Sequence, residues 1–239
     1  MSTTPESSSE SSSPPRWKPL SPIQRRVLGV LIEKAKTTPA GYPMTTNAIV
    51  TGCNQKNNRE PLTAYDDIDV GNTLVELQAL GVVKEIDWVG RTAKYKHLAY
   101  EWLGVRPVEL AVLAELLLRG PQALGELRAR ASRMEPIEDL AALKAIVDGL
   151  VERGLMVELT PPGRGQMVTH GLYPAGELAG LRASRGSMSS HSEAPVAEPR
   201  VSAQPGSDLR AEIAEMRSRI ADLTERIERL ETRSGEGGP

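Results

Sequence analysis

Nine residues, Cys53-Asn54-Gln55-Lys56-Asn57-Asn58-Arg59-Glu60-Pro61, hold the densest hydrogen-bonding chemistry in the chain. Amides donate and accept, and Lys56 and Arg59 add positive charge. Asn54, Gln55, Lys56, Asn57 and Arg59 are therefore candidate contacts to nucleic-acid bases and backbone, or to a partner loop. The same composition has an internal reading. Asparagine side chains satisfy turn backbone and tolerate left-handed φ, and Arg59-Glu60-Pro61 would then pin the loop to its domain. A second candidate cluster is Arg91, Lys94 and Lys96 at a hairpin tip, with Lys94 and Lys96 alternating onto one face. Together the two clusters would reach roughly 3 to 5 phosphates, giving salt-sensitive, largely sequence-independent binding. The alternative for the hairpin is solvated charge that limits edge pairing.

Other chemistry is thin. His97, His170 and His191 are scattered, and none stands at metal-ligand spacing with Cys53 or with acids. Asp66, Asp67 and Asp69 read as the acidic start of a helix. Cys53 reads as a buried, inert thiol. As the single cysteine it excludes an internal disulfide and suits a reducing compartment. No glycine-rich phosphate loop follows a strand. The expectation is a protein that is not an enzyme, with no catalytic residue, cofactor, metal or small-molecule substrate.

The elements that must position these residues are helical. Hydrophobic residues make up 39% of the chain and Phe is absent, so cores are built from Leu, Val, Ile and Ala. Net charge is −2, and only residues 16–101 lean basic, with 12 Lys and Arg against 9 Asp and Glu. The serine-rich, acidic residues 1–16 are too polar to pack and read as a disordered tail without signal-peptide character. No apolar run approaches the roughly 20 residues that span a bilayer, so the expected location is cytoplasmic.

Ser21 and Pro22 open a first helix, with Ile23, Val27, Val30 and Leu31 on one face to about Lys36. Pro39, Gly41 and Pro43 break it. Thr45 or Thr46 caps a short second helix through Ile49 and Val50. A third runs from about Asp66 to Gly81, burying Val70, Leu74 and Leu77. Val82–Trp88 and Thr92–Leu98 then form a hairpin. Three helices followed by a two-stranded hairpin is the winged-helix arrangement.

The pattern repeats. Val27, Leu28 and Leu31 match Val112, Leu113 and Leu116 at an offset of 85, and Leu74, Leu77 and Gly81 match Val147, Leu150 and Gly154 at 73. The second copy has a helix at Leu124–Ala131, another from about Ile137 to Arg153, and a hairpin of Leu155–Thr160 with Gln166–Tyr173. The fold expected is mainly α with small β-hairpins (α+β): two tandem winged-helix domains, 17–103 and 104–182. A flexible linker, 183–207, and a coiled-coil helix, 208–233, follow. In that helix Leu209, Ile213, Met216, Ile220, Leu223, Ile227 and Leu230 alternate by 4 and 3. Ile213, Ile220 and Ile227 take the a positions and the others take d, which favours a parallel homodimer.

Residues Leu20 to Pro174 resemble the YceH family of bacterial proteins, which has no assigned activity. The resemblance rests on Leu31-Ile32-Glu33-Lys34, Thr37-Thr38-Pro39 with Tyr42-Pro43, and above all the 53–61 run. Leu117-Leu118-Arg119-Gly120, Gly125-Glu126-Leu127-Arg128 and Arg133-Met134 continue it. It implies a tandem winged-helix fold and brings no site residues.

The fold's usual employment is DNA binding through the third helix. Here that helix offers Asp69, Asn72, Thr73 and Glu76 outward, and its counterpart offers Glu138, Asp139, Lys144, Ala145 and Asp148. Like charge against phosphate costs on the order of a kcal/mol per close approach, which argues against ordinary groove readout. The leading expectation is a DNA-associated regulatory protein touching duplex backbone with its first wing and the 54–59 loop. The competing one is a protein-interaction adaptor that docks partners on the winged helices.

Overall fold

A computed structural model describes residues 17–86 and 92–189, with backbone alone for 185–189. The described residues lie within one compact unit, Met1–Glu193. Residues 1–16, Arg91 and the 208–233 seam expected to form a coiled coil lie outside the described residues.

Helix α1, Pro22–Thr37, starts on a capping box: Ser21 N donates to Gln24 Oε1 at 2.9 Å while Gln24 N donates to Ser21 Oγ. Such a cap contributes about 1 kcal/mol. A single 3-10 turn, Pro39–Gly41, leads to α2, Thr46–Cys53, capped by Thr45. Helix α3, Asp67–Ala79, begins where Asp66 accepts from Asp69 N at 2.8 Å. Gly81 follows at φ +74°, a left-handed turn that suits glycine. Strands β1, Val83–Ile86, and β2, Lys94–His97, pair antiparallel. Met44 adds a bridge to Tyr95, with Tyr95 N donating to Met44 O at 2.8 Å.

A short helix α4, Ala99–Leu103, connects to the second half. There α5, Pro107–Arg119, is followed by β3, Gln122–Ala123, α6, Leu124–Ala131, and α7, Leu140–Glu152. Strands β4, Met156–Glu158, and β5, Met167–His170, close a three-stranded antiparallel sheet in the order β3-β5-β4. Helix α7 starts three residues later than its apolar pattern suggests, because Asp139 caps it by accepting from Ala142 N at 2.8 Å. Helix α8, Ala175–Ser189, runs past residue 183, where composition alone reads a linker. The whole is a helix-rich α+β arrangement with small antiparallel sheets, consistent with a winged-helix-like fold.

The two halves share one apolar cluster. Its centre is the crossing of α1 with α5. Leu28, Leu31 and Ile32 are fully buried there, as are Leu113, Leu116 and Leu118. Each such side chain contributes roughly 1.5–3 kcal/mol. Gly29 is what lets the helices close: a Cβ at that position would stand 3.0 Å from the Leu118 side chain.

Candidate interaction surface

The 53–61 run follows α2 and folds back onto α1. Arg59 is 3% exposed. Its Nη2 donates to Glu33 Oε2 at 2.5 Å and its Nη1 to Glu33 Oε1 at 3.2 Å. Nε donates to Gly52 O at 2.9 Å, and Nη2 also reaches Gln55 Oε1 at 3.0 Å. Glu33 lies in the last two turns of α1. It also takes Arg133 Nη1 at 2.6 Å, and Arg133 Nη2 goes on to Glu115 Oε2 at 3.1 Å. Burial alone would push the Glu33 carboxyl up; Arg59 and Arg133 outweigh it and hold the group below the usual range.

The amides are consumed in the same way. Asn54 Nδ2 donates to Tyr65 O at 2.7 Å, while Asn54 Oδ1 accepts from Tyr65 N at 3.0 Å and from Thr63 Oγ1 at 3.2 Å. Asn58 adopts φ +57°, the left-handed conformation that asparagine tolerates, and its Oδ1 accepts from Arg119 Nη2 at 2.8 Å. Glu60 N donates to Leu118 O at 2.9 Å. The run therefore ties α1 and α2 to α5. Of the residues singled out as contacts, Arg59 is spent inside, Asn54 and Gln55 are half-buried, and Lys56 and Asn57 are exposed.

Arg26 supports the turn from behind. Its Nη1 donates to Cys53 O at 2.9 Å, at the C-terminus of α2, and its Nη2 to Pro61 O at 2.7 Å. Burial and the neighbouring Arg59 lower its pKa. A cavity of about 250 Å³ lies beside it between the halves, lined in part by Arg25, Tyr65, Arg119 and Tyr173. Arg25 is neutralised there by Glu177 of α8, at 2.5 Å.

Burial pushes the Cys53 thiol up to about 12, so it stays protonated and unreactive at neutral pH. Desolvation lowers His97 to about 4 and His170 well below its ordinary value, which keeps both neutral. Asp66 and Asp69 are engaged in each other's backbone as a helix cap. Among the described residues no group of three His, Cys, Asp or Glu could hold a metal ion. No described helix is long and apolar enough to cross a membrane.

Two surfaces carry side chains that reach solvent: the first hairpin, where Lys84 is exposed and Lys94 and Lys96 are half-buried, and the outer side of α3. On the first hairpin, Lys84 stands opposite Lys96, and Ile86 opposite Lys94, so Lys84, Lys94 and Lys96 share one face. Alternation along one strand does not show Lys84, because its place opposite Lys96 is set by strand register.

The second surface is the outer side of α3. Thr73, expected outward, is 3% exposed and donates its hydroxyl to Asp69 O at 2.8 Å. Ile68 and Val75 take the exposed positions instead, at 73% and 65%. Asp67, Asp69 and Glu76 flank them, and Glu76 accepts from Gln24 Nε2 at 2.8 Å.

Known proteins share this chain's sequence over most of the described region. The family described as "Protein of unknown function, DUF480" matches residues 20–164. A UPF0502 protein of Rhodopirellula baltica is 56% identical over 164 residues, 69% of this chain and 68% of that relative. One from Geobacter sulfurreducens is 48% identical over 143 residues, and the match spans 63% of the relative, less than two thirds of its length. One from Azoarcus is 37% identical over 206 residues, 85% of this chain and 89% of the relative. With well over half of its length matched, the chain belongs to the DUF480 family of proteins of unknown function.

Proposed function

We propose that the protein is a non-enzymatic interaction adaptor: two tandem winged helices, held as one block, that dock another protein. One observation carries this reading. In a winged helix it is the third helix, here α3, that would enter the major groove. It turns Ile68 and Val75 to solvent among acids, and it contains no lysine or arginine. A phosphate backbone would meet carboxylates there. The spending of Arg59 and Asn54 inside the fold removes two of the contacts on which a DNA-first reading leaned. Dimerisation through residues 208–233, a cytoplasmic setting and the YceH resemblance belong to the same proposal; the resemblance supplies no activity.

Duplex DNA is the second reading, and it has its own support. Lys84, Lys94 and Lys96 on one hairpin face suit backbone phosphates without sequence readout. A photo-crosslinking residue at position 75 or 96, installed in cells of the source organism, separates the two. The adaptor reading expects a discrete protein adduct from position 75. Its absence, together with low-salt binding to random duplex DNA that Lys94→Ala with Lys96→Ala abolishes, would replace it with the DNA reading.

A further inference from the structure

We infer that the outer face of α3 receives a basic amphipathic helix of a partner protein, an inference that rests on the adaptor reading above. Among the described residues four large apolar side chains are exposed: Leu62, Ile68, Val75 and Leu140. Single exposed apolar residues are ordinary on any surface. Three of these four, however, lie on α3 or on the segment that leads into it. Ile68, Asn72, Val75 and Ala79 follow one another by 4, 3 and 4, and all four are exposed. That is the 4-3-4 spacing of a two-helix seam. Gly71 beside the stripe carries no side chain to obstruct an approaching helix, and nothing lies within 4 Å of where its Cβ would be.

Charge selects the occupant. Asp66, Asp67, Asp69 and Glu76 are all exposed along this helix and its cap, and no cation on α3 offsets them. A second copy of the same face would set carboxylates against carboxylates. The chain's own 208–233 segment carries 7 Asp and Glu against 6 Arg, no excess of positive charge, and its apolar positions already match one another. The equivalent helix of the second half differs as well. There Leu140 is exposed, but Lys144 pairs with Asp148 and lies 3.8 Å from Glu158, so that face holds its own countercharge. What fits α3 is a helix with aliphatic side chains at 4-3 spacing and Lys or Arg along both margins, the helix-in-groove mode of recognition.

The test uses the full chain and three fluorescein-labelled peptides of equal length. One is a lysine-rich helix with leucines at 4-3 spacing, one has the same residues scrambled, and one has glutamate in place of lysine. Anisotropy at about physiological salt, where exposed charge is screened beyond roughly 8 Å, should show saturable binding of the first at least tenfold tighter than of the other two. Ile68→Asp with Val75→Asp should weaken it at least tenfold while leaving the thermal melt unchanged, because both side chains are exposed. Asp67→Lys should weaken it severalfold.

Equal binding of the scrambled or acidic peptide, or undiminished binding by the double variant, would overturn the inference. So would a fall in the chain's own oligomeric mass in the double variant, which would make a second copy the occupant. Peptide binding that appears only after deletion of residues 208–239 would assign the face to the chain's own tail and overturn it too. A protein adduct from position 75 without peptide binding removes the partner chemistry alone; loss of both removes the adaptor reading with it.

Discussion

Glu33 holds two guanidinium groups at once, Arg59 and Arg133, from a position 3% exposed on its side chain. A buried pair adds little net stability over an apolar replacement, but removing one partner strands the other. Arg59→Met leaves Glu33 with Arg133 alone and takes a donor from Gly52 O and Gln55 Oε1, so it should cost roughly 1–3 kcal/mol, read as a lowered urea midpoint. Arg59→Lys should recover only a minor part, since a single ammonium cannot serve Gly52 O, Gln55 and both carboxylate oxygens together. Buried titratable groups set the acid limb. His97 titrates near 4 in the fold against an ordinary 6.5, so the unfolded chain takes up a proton that the folded chain refuses. Stability falls as pH drops from about 6.5 to about 4, and His170, also lowered by burial, adds to the loss below its ordinary value. Glu33 acts lower down. Its folded pKa lies below 4.5, so its contribution is present above that value and lost as pH falls through the folded one. Denaturant midpoints measured against pH should show His97→Asn flattening the upper part of the limb and Glu33→Gln the lower part.

At the scale of elements, the crossing of α1 and α5 depends on Gly29. Gly29→Leu would drive a side chain into Leu118 and Leu117, from which even a Cβ is only 3.0 and 3.2 Å away. Overpacking of this kind costs about 1–3 kcal/mol, and a lowered thermal midpoint with secondary structure retained is the expected result. Helices α1, α2, α3 and α6 were legible in the sequence because each has a cap or a periodic apolar face. Strand β3 was not: two residues carry no period, and the pairing of Gln122 with Val168 is a tertiary event. Nor was α8, whose Ala-, Gly- and Ser-rich run has no stripe and is anchored instead by Glu177 on Arg25. Of the candidate site, Lys94 and Lys96 on one side of the hairpin were legible from alternation alone, whereas Lys84 needed the strand register. That the 53–61 run could turn inward was legible in its asparagines and its Arg59-Glu60-Pro61 end; the partner of Arg59 was not, because Glu33 lies 26 residues earlier in the chain. Thr73 looked polar enough for solvent, yet a hydroxyl that bonds back to the preceding helical turn can be buried.

Across the whole described molecule, polar contacts form one chain of links that joins the halves: Arg59 to Glu33, Glu33 to Arg133, Arg133 to Glu115, Glu115 to Arg119, and Arg119 to Asn58. Lys36 to Glu135 at 2.8 Å and Leu20 N to Leu172 O at 2.8 Å add two more crossings. The apolar cluster is continuous over the same boundary. A first half isolated at residues 17–105 would expose the α5-facing side of α1, including Leu28 and Ile32, to water. It would also leave Glu33 without Arg133 and Asn58 without Arg119. The apolar loss alone, at roughly 1.5–3 kcal/mol for each large side chain uncovered, is comparable with the 5–15 kcal/mol total of an ordinary domain. The isolated half is expected to lack a cooperative melt, whereas the full chain should unfold its described region in one transition. Native-state hydrogen exchange checks this on the intact protein. Amides in the middle of α1 and of α5 should open with the same free energy and the same denaturant slope. Two distinct slopes would mean that the halves open independently, and that the Glu33 links do not couple them.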